Sequence, residues 1–287
     1  MCGIAGVVQF RGIAVKQPII DRMTDVLEHR GPDGRGTWLN KNVGIGHRRL
    51  SVIDTSIDGK QPFVDDKNSV VLTYNGELYN FKELRKKLQS LGHVFRSRTD
   101  TEVILHSYLE WGRDCLQKFR GMFAFAIWDQ HKKELWLARD RIGIKPLFYS
   151  VNQEAFLFGS EIKSILAYNQ ESKALNVEGM AYYLGLNYVP GEHTLFSGVQ
   201  QLLPGFQMVV TQNGETSISK YWDMEYEETD DKGEQYYVDQ LDHLLEQTVK
   251  QHLISDVPNG LMLSGGLDSS SLAFYMSKVS DKNIESF

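Results

Sequence analysis

The apolar positions of this chain change period repeatedly, and the changes mark out its elements. Residues 3–10, Gly-Ile-Ala-Gly-Val-Val-Gln-Phe, are small and apolar without interruption, which predicts a buried strand. After Pro18 the spacing becomes helical, with Ile19, Ile20, Met23, Val26 and Leu27 on one face, and Arg30-Gly31-Pro32-Asp33 is a stop. Strand-like stretches follow around 37–39 and 43–50, then a turn at Gly59-Lys60-Gln61-Pro62 and an apolar strand over 70–74. Phe81, Leu84, Leu88 and Leu91 predict a second helix, and residues 103–111 a third. Residues 123–128 and 134–139 read as a hairpin around Asp129-Gln130-His131-Lys132, 156–159 as a strand, 161–167 and 175–188 as helices, and 190–222 as a connection of turns and short strands. The acidic run 225–231 is the expected domain boundary. Beyond it Val238, Leu241, Leu244, Leu245 and Val249 line an amphipathic helix, and a short strand, a glycine loop and a helix follow from Gly260. The first half is thus α+β with many antiparallel strands.

Composition narrows this picture. A chain of 287 residues, 41% hydrophobic and 24% charged, has the profile of a globular protein with room for one large domain or two. A net charge of −6 with no compensating basic stretch argues against a nucleic-acid partner held by bulk electrostatics. No apolar run reaches membrane-spanning length and the N-terminus lacks a basic-then-apolar leader, so no membrane association and a cytoplasmic location are expected. Cys2 and Cys115 are the two cysteines, which suits a reducing compartment better than a disulfide framework. His and Cys do not cluster at ligand spacing, so no metal site is expected within the protein.

Three stretches carry candidate chemistry. Cys2 follows the initiator Met, and Cys is small enough for that Met to be trimmed. Trimming leaves one residue holding a thiol and, beside it, an amine that titrates near neutrality, a nucleophile with its own base. Its alternative is a small buried hydrophobe. Asn75-Gly76-Glu77 stands where an apolar strand runs toward a helix. It reads either as a tight hairpin turn or as a place that presents an amide and backbone N–H groups to a substrate. Thr99 or Asp100 is a candidate helix N-cap. Near the end, Leu263-Ser264-Gly265-Gly266-Leu267-Asp268-Ser269-Ser270 joins a strand to a helix, with glycines, hydroxyls and a helix N-terminus combining as a phosphate cradle. It lacks the Gly-Lys-Ser/Thr of a Walker loop.

Taken in order, Cys2-Gly3-Ile4, Arg30-Gly31-Pro32-Asp33, Arg49-Leu50-Ser51, Asn75-Gly76-Glu77, Thr99-Asp100, Gly121–Ala126 and Arg139-Asp140 resemble class II glutamine amidotransferases. Residues Ser264–Ser270 resemble the pyrophosphate loop of the ATP pyrophosphatase superfamily. The pair together resembles the glutamine-hydrolysing asparagine synthetase family. This resemblance implies an N-terminal nucleophile domain, an αββα sandwich over residues 2–219, and then the beginning of a Rossmann-like α/β synthetase domain over 233–287. It implies Cys2, Asn75 and Gly76 as catalytic residues, the last two forming an oxyanion hole. It also implies a glutamine site built from Arg49, Leu50, Ser51, Val52, Ile53, Asn75, Gly76, Glu77 and Asp100, with Arg49 clamping the α-carboxylate and Asp100 and Glu77 holding the α-ammonium. An ATP site would include Leu263, Ser264, Gly265, Gly266, Asp268 and Ser269. Glutamine, aspartate and ATP with Mg²⁺ would be the small-molecule partners, and a homodimer is compatible with the family.

The chain ends at Phe287, shortly after the first strand, loop and helix of the expected synthetase domain. A doubly wound sheet needs further strands, so the synthetase half is expected to be truncated and the glutaminase half complete. Residues beyond about 225 are expected to pack poorly in isolation. Two other readings stand beside this one: a class II amidotransferase for another acceptor, and an inactive or regulatory fragment. Cys115 reads as a core residue.

Overall fold

The computed structural model describes residues 1–168, 174–227, 230–280 and 284–287. Part of the expected boundary at 225–231 (Glu228 and Thr229) lies outside the described residues. Two compact units emerge: Met1–Ser51 with Ser56–Asp223, and Val52–Thr55 with Met224–Phe287.

The first unit runs β1 (Gly3–Gln9), α1 (Gln17–Asp25), β2 (Gly34–Asn40), β3 (Val43–Arg49), β4 (Phe63–Val64), β5 (Val70–Leu78), α2 (Phe81–Ser90) and α3 (Asp100–Trp111). It continues with β6 (Gly121–Asp129), β7 (Glu134–Arg139), β8 (Phe148–Val151), β9 (Ala155–Gly159), α4 (Ile162–Leu166), α5 (Val177–Leu186), β10 (Gln200–Gln201), β11 (Phe206–Thr211) and β12 (Thr216–Lys220). The strands form two six-stranded sheets, ordered β10-β8-β9-β1-β3-β2 and β12-β11-β7-β6-β5-β4, with antiparallel pairing between neighbours. Alternation along the strands decides the layers. Ile4, Val8, Val43 and Ile45 of one sheet meet Val71, Ala124, Ala126, Leu135 and Met208 of the other in one buried cluster. Ala5, Val7 and Leu157 point the opposite way, onto Met23 and Ile165 of α1 and α4. Helices α2 and α3 pack against each other, and α3 lies on β5. The unit is therefore an αββα sandwich, the architecture the resemblance implies.

Several elements depart from expectation. Helix α1 ends at Asp25, so Val26 is not part of the buried face and is 37% exposed. Leu91 caps α2 rather than belonging to it. The segment 190–222 is more than a connection: Met208 and Val210 alternate inward, so β11 joins β7 and extends the second sheet. Helix α3 starts at Asp100, three residues early, because the Thr99 side chain accepts the Glu102 N–H.

The second unit contains α6 (Glu234–His252), β13 (Gly260–Leu261), α7 (Leu267–Val279) and β14 (Glu285–Ser286). Strands β13 and β14 pair in parallel across α7, a βαβ step. Its core is small: Val249, Leu261, Tyr275 and Met276 are buried, while Leu241, Leu244, Met262, Leu267 and Phe274 are exposed.

Candidate active site

Cys2 sits one residue before β1, so the strand's pairing with β3 fixes its position, with Gly3 opposite Arg48. The thiol reaches across to the chain leaving β3. The Leu50 N–H donates to Cys2 Sγ at 3.4 Å, and Sγ lies 3.6 Å from the Leu50 carbonyl. From the other side the Arg30 Nε donates to the Cys2 carbonyl at 3.0 Å, and Arg30 Nη1 is held by Glu161 at 3.0 Å. Burial pushes the Cys2 thiol up from its ordinary pKa, and Asp100 adds to the rise. The Leu50 N–H, the nearby N-terminal amine and Arg49 act the other way. Burial also holds the Met1 amine below its ordinary value. Arg30 and Lys145 reinforce that, while Cys2 and Asp33 oppose it. Burial thus moves the two groups apart, the thiol up and the amine down, and the Leu50 N–H, the amine charge and Arg49 are what counter the rise at the thiol.

Arg49 ends β3, and its Nη1 donates to the Ser56 carbonyl at 2.8 Å. Its guanidinium lies over Gly59, where a Cβ would fall 2.1 Å from Nη2, so a larger residue there would push the guanidinium aside. Asp33 ties the segment down, accepting from the Ser51 N–H at 2.8 Å while its own N–H donates to the Arg49 carbonyl at 3.0 Å. Val52 and Ile53 group with the second unit. There the Asp256 N–H donates to the Val52 carbonyl at 2.9 Å, and the Asp54 N–H to Asp256 Oδ2 at 2.8 Å. The expected 49–53 glutamine segment is therefore divided between the two units.

Asn75 and Gly76 are not a turn. Strand β5 runs on to Leu78, and the two residues pair with Ala124 and Phe123 of β6. The pattern expected for a hairpin fails because Gly76 serves a different need: a Cβ there would meet the Met122 carbonyl at 2.2 Å. Asn75 shares a face with Val71, in the intersheet core, and Thr73, hydrogen-bonded to His47 of β3 at 3.1 Å. Its side chain therefore faces the sheet that carries Cys2, and β1 lies opposite β5. It is 1% exposed, and its Nδ2 has no hydrogen-bond partner among the described residues. Backbone alternation aims the Gly76 N–H along the same edge as those of Tyr74 and Leu78, which Gln61 Oε1 and Asp100 Oδ2 accept at 2.7 and 2.9 Å.

Asp100 opens α3 and is buried, its Oδ2 also accepting from the Tyr74 hydroxyl at 2.8 Å. Burial raises its pKa despite these bonds, and Glu77 is raised by burial and by Asp100. Two neighbouring carboxyls held above their ordinary range suit an arriving cation, which would offset both penalties. Sequence reasoning missed Arg30, Asp33, Gln61 and Tyr74. The first two entered as a turn signal and as part of the resembling motifs with no role attached, and Gln61 and Tyr74 carried no sign of a role. Cys115 is buried, with its thiol pushed up by burial.

In the second unit the Gly260 strand leads to a loop in which Gly265 has φ +79°, with open space where a Cβ would be. Gly266 caps α7 without a side-chain bond, so the first-turn N–H groups face outward, and the Ser264 and Ser269 hydroxyls meet at 3.0 Å. Leu263 donates its N–H to Phe287 at 2.9 Å, and Asp268 is exposed in the first turn. These residues are brought together and fit a phosphate-bearing ligand.

Comparison with known proteins agrees in fold and family. Glutamine-hydrolyzing asparagine synthetase 3 of Bacillus subtilis is 41% identical over 277 residues, covering 95% of this chain and 44% of that protein. Amidase chry2 of Gibberella zeae is 34% identical over 290 residues, covering 95% and 42%. The chain thus spans less than half the length of these relatives. The glutamine phosphoribosylpyrophosphate amidotransferase of B. subtilis aligns over 100% of this chain and 65% of its own, with a TM-score of 0.57 at 18% identity, a likeness of fold. The first unit accordingly has the N-terminal nucleophile fold of glutamine amidotransferases. Residues 240–287 match the family described as asparagine synthase. Residues 1–222, more than three quarters of the sequence, match the glutamine amidotransferase domain, and the chain belongs to that family.

Proposed function

We propose that the first unit is a glutaminase in which Cys2, freed of Met1, is the nucleophile. One observation carries the reading: a buried Asn75 amide whose Nδ2 has no partner among the described residues, facing the sheet whose β1 follows Cys2. Leaving such donors unpaired costs about 1–3 kcal/mol, which a substrate oxyanion would offset. The Cys2 thiol gives its proton to its own α-amine, and sulphur bonds to the glutamine carboxamide carbon. The carbonyl oxygen becomes an oxyanion received by Asn75 Nδ2 and the Gly76 N–H. The C–N bond breaks, the α-ammonium returns its proton to the departing nitrogen, and ammonia leaves a glutamyl thioester. Water adds to the thioester with the amine again as base, the C–S bond breaks, and glutamate and the thiol are released. Arg49 clamps the substrate carboxylate in bidentate fashion. Asp100 and Glu77 receive its ammonium, and Leu50 and Ser51 present backbone groups.

For the whole protein we infer a glutamine-dependent asparagine synthetase. Its second unit would hold the phosphates of ATP at Ser264, Gly265, Gly266 and Ser269, with Leu263 and Asp268 beside them. When bound, Mg²⁺-ATP supplies activation of the acceptor carboxylate, that of aspartate. The match of residues 240–287 to asparagine synthase supports this reading. The glutaminase half is tested by ammonia release from glutamine. The wild-type chain is expected to release it and Cys2→Ala to lose all of it, with intact mass reporting Met1 removal. Release that survives Cys2→Ala would overturn the assignment.

A further inference from the structure

Lys145 has no role in the chemistry above, yet it is only 5% exposed. Lysine is rarely buried so completely, because an ammonium leaves water at high cost unless it is paired. Among the described residues its Nζ has one hydrogen-bond partner, the Met1 sulphur at 3.3 Å, and a thioether is a weak acceptor. The residue is nevertheless held deliberately. Its N–H donates to Asp140 Oδ2 at 3.0 Å, and its carbonyl accepts from Arg139 Nε at 2.8 Å. Asp140 also takes the Phe123 N–H of β6 at 3.2 Å, so the loop bearing Lys145 is pinned to the strand that pairs with Asn75 and Gly76.

The charges facing this ammonium come from several elements. Burial lowers the pKa of this ammonium and Arg30 adds to that, while Glu77 of β5, Cys2 ahead of β1 and Asp140 favour its charged form. The N-terminal amine feels Lys145 in turn, together with Cys2, Arg30 and Asp33, and the thiol is further influenced by Asp100 and Arg49. Lys145, the Cys2 thiol and the Met1 amine that precedes it thus lie within one electrostatic cluster. The side chain that occupies the Lys145 ammonium is the one that must leave before Cys2 can act.

We propose that Lys145 is a positioning residue for the glutaminase reaction: Met1 removal uncovers its ammonium beside the new N-terminus, where it keeps the Cys2 amine free to accept the thiol proton and steadies the thiolate once that proton has passed to the amine. A nearby cation disfavours the protonated amine and favours the thiolate, so both effects run in the same direction. Glu77 opposes the burial that lowers the Lys145 pKa. The inference rests on Cys2 being the nucleophile.

Two readouts on the 287-residue chain separate the two claims. The first is the pH dependence of Cys2 alkylation by iodoacetamide, with peptide mapping to distinguish Cys115 and intact mass to verify Met1 loss. The second is kcat/KM for ammonia release against pH. In Lys145→Met the alkylation midpoint and the acid limb of kcat/KM are both expected to move up by about one pH unit, with about a tenfold loss of kcat/KM at pH 7. Lys145→Arg is expected to restore both profiles. An unmoved alkylation midpoint in Lys145→Met would overturn the proposal, as would a Lys145→Arg profile shifted as far as that of Lys145→Met. Should Lys145→Met fail to fold by circular dichroism, Lys145→Gln is judged by the same midpoint. Absence of ammonia release from every variant would overturn the glutaminase reading instead, while the alkylation profile still decides the role of Lys145.

Discussion

The unpartnered amide of Asn75 is a cost that the fold carries before any substrate arrives. If it is recovered on the oxyanion, Asn75→Ala should lower kcat by roughly 10²–10³-fold with little change in KM, since the interaction strengthens only in the transition state. Steady-state ammonia release reads this directly, and a rise in KM at unchanged kcat would place Asn75 in ground-state binding. Arg49 should behave in the opposite way. Arg49→Lys keeps the charge but loses the fork, so KM for glutamine should rise about tenfold or more while kcat changes less. At this scale the sequence singles out Cys2 because trimming of Met1 would unite a thiol and an amine in one residue. It was silent on Gln61 and Tyr74, because a glutamine and a tyrosine become supports only when folding brings Tyr74 to Asp100 and Gln61 to the β5 edge.

Strand β5 shows where pattern reasoning at the element scale loses its grip. Asn-Gly reads as a turn when neighbours along the chain are all that is known, but the approach of the Met122 carbonyl demands a residue without a Cβ inside the strand. Helix α3 gives the complementary case. Thr99 and Glu102 have the spacing of a capping box, and the Thr99 side chain does accept the Glu102 N–H at 3.2 Å. The Glu102 carboxylate instead reaches the preceding loop, accepting from the N–H groups of Arg96 and Ser97 at 2.9 and 2.7 Å and from the Ser97 hydroxyl at 2.7 Å. Burial raises its pKa, but the His106 ring 3.7 Å away and hydrogen bonds from Arg96 and Ser97 prevail and bring it down to about 2 from 4.5. A depressed carboxyl contributes stability above its unfolded value and loses it as pH falls through its folded one. Glu102→Gln should therefore cost on the order of 2 kcal/mol at pH 7 in urea unfolding, and the deficit should shrink between about pH 4.5 and 2. A deficit independent of pH would assign the loss to packing. Because this loop leads into Asp100, the same variant should also weaken glutamine binding.

On the scale of the molecule, the two units differ in how much they bury. The first closes a core between two six-stranded sheets, and the apolar runs of β1 and β5 and the hairpin of β6 and β7 announced its strands. The place of β11 was harder to see, since its six residues sit among turns and only pairing with β7 defines its role. The second unit has four buried side chains in its described core and leaves much of α6 and α7 apolar and exposed. Limited proteolysis is expected to remove residues beyond about 225 first and to leave a folded fragment of the first unit; a tail as resistant as the sandwich would contradict that ranking. The most direct test of the whole account is to mix the chain with glutamine, quench in acid within the first turnover, and map the N-terminal peptide by mass. The account requires a glutamyl thioester on a Cys2 that has lost Met1, absent in Cys2→Ala and accumulating in step with ammonia. Ammonia released with no adduct on Cys2, and undiminished in Cys2→Ala, would contradict it.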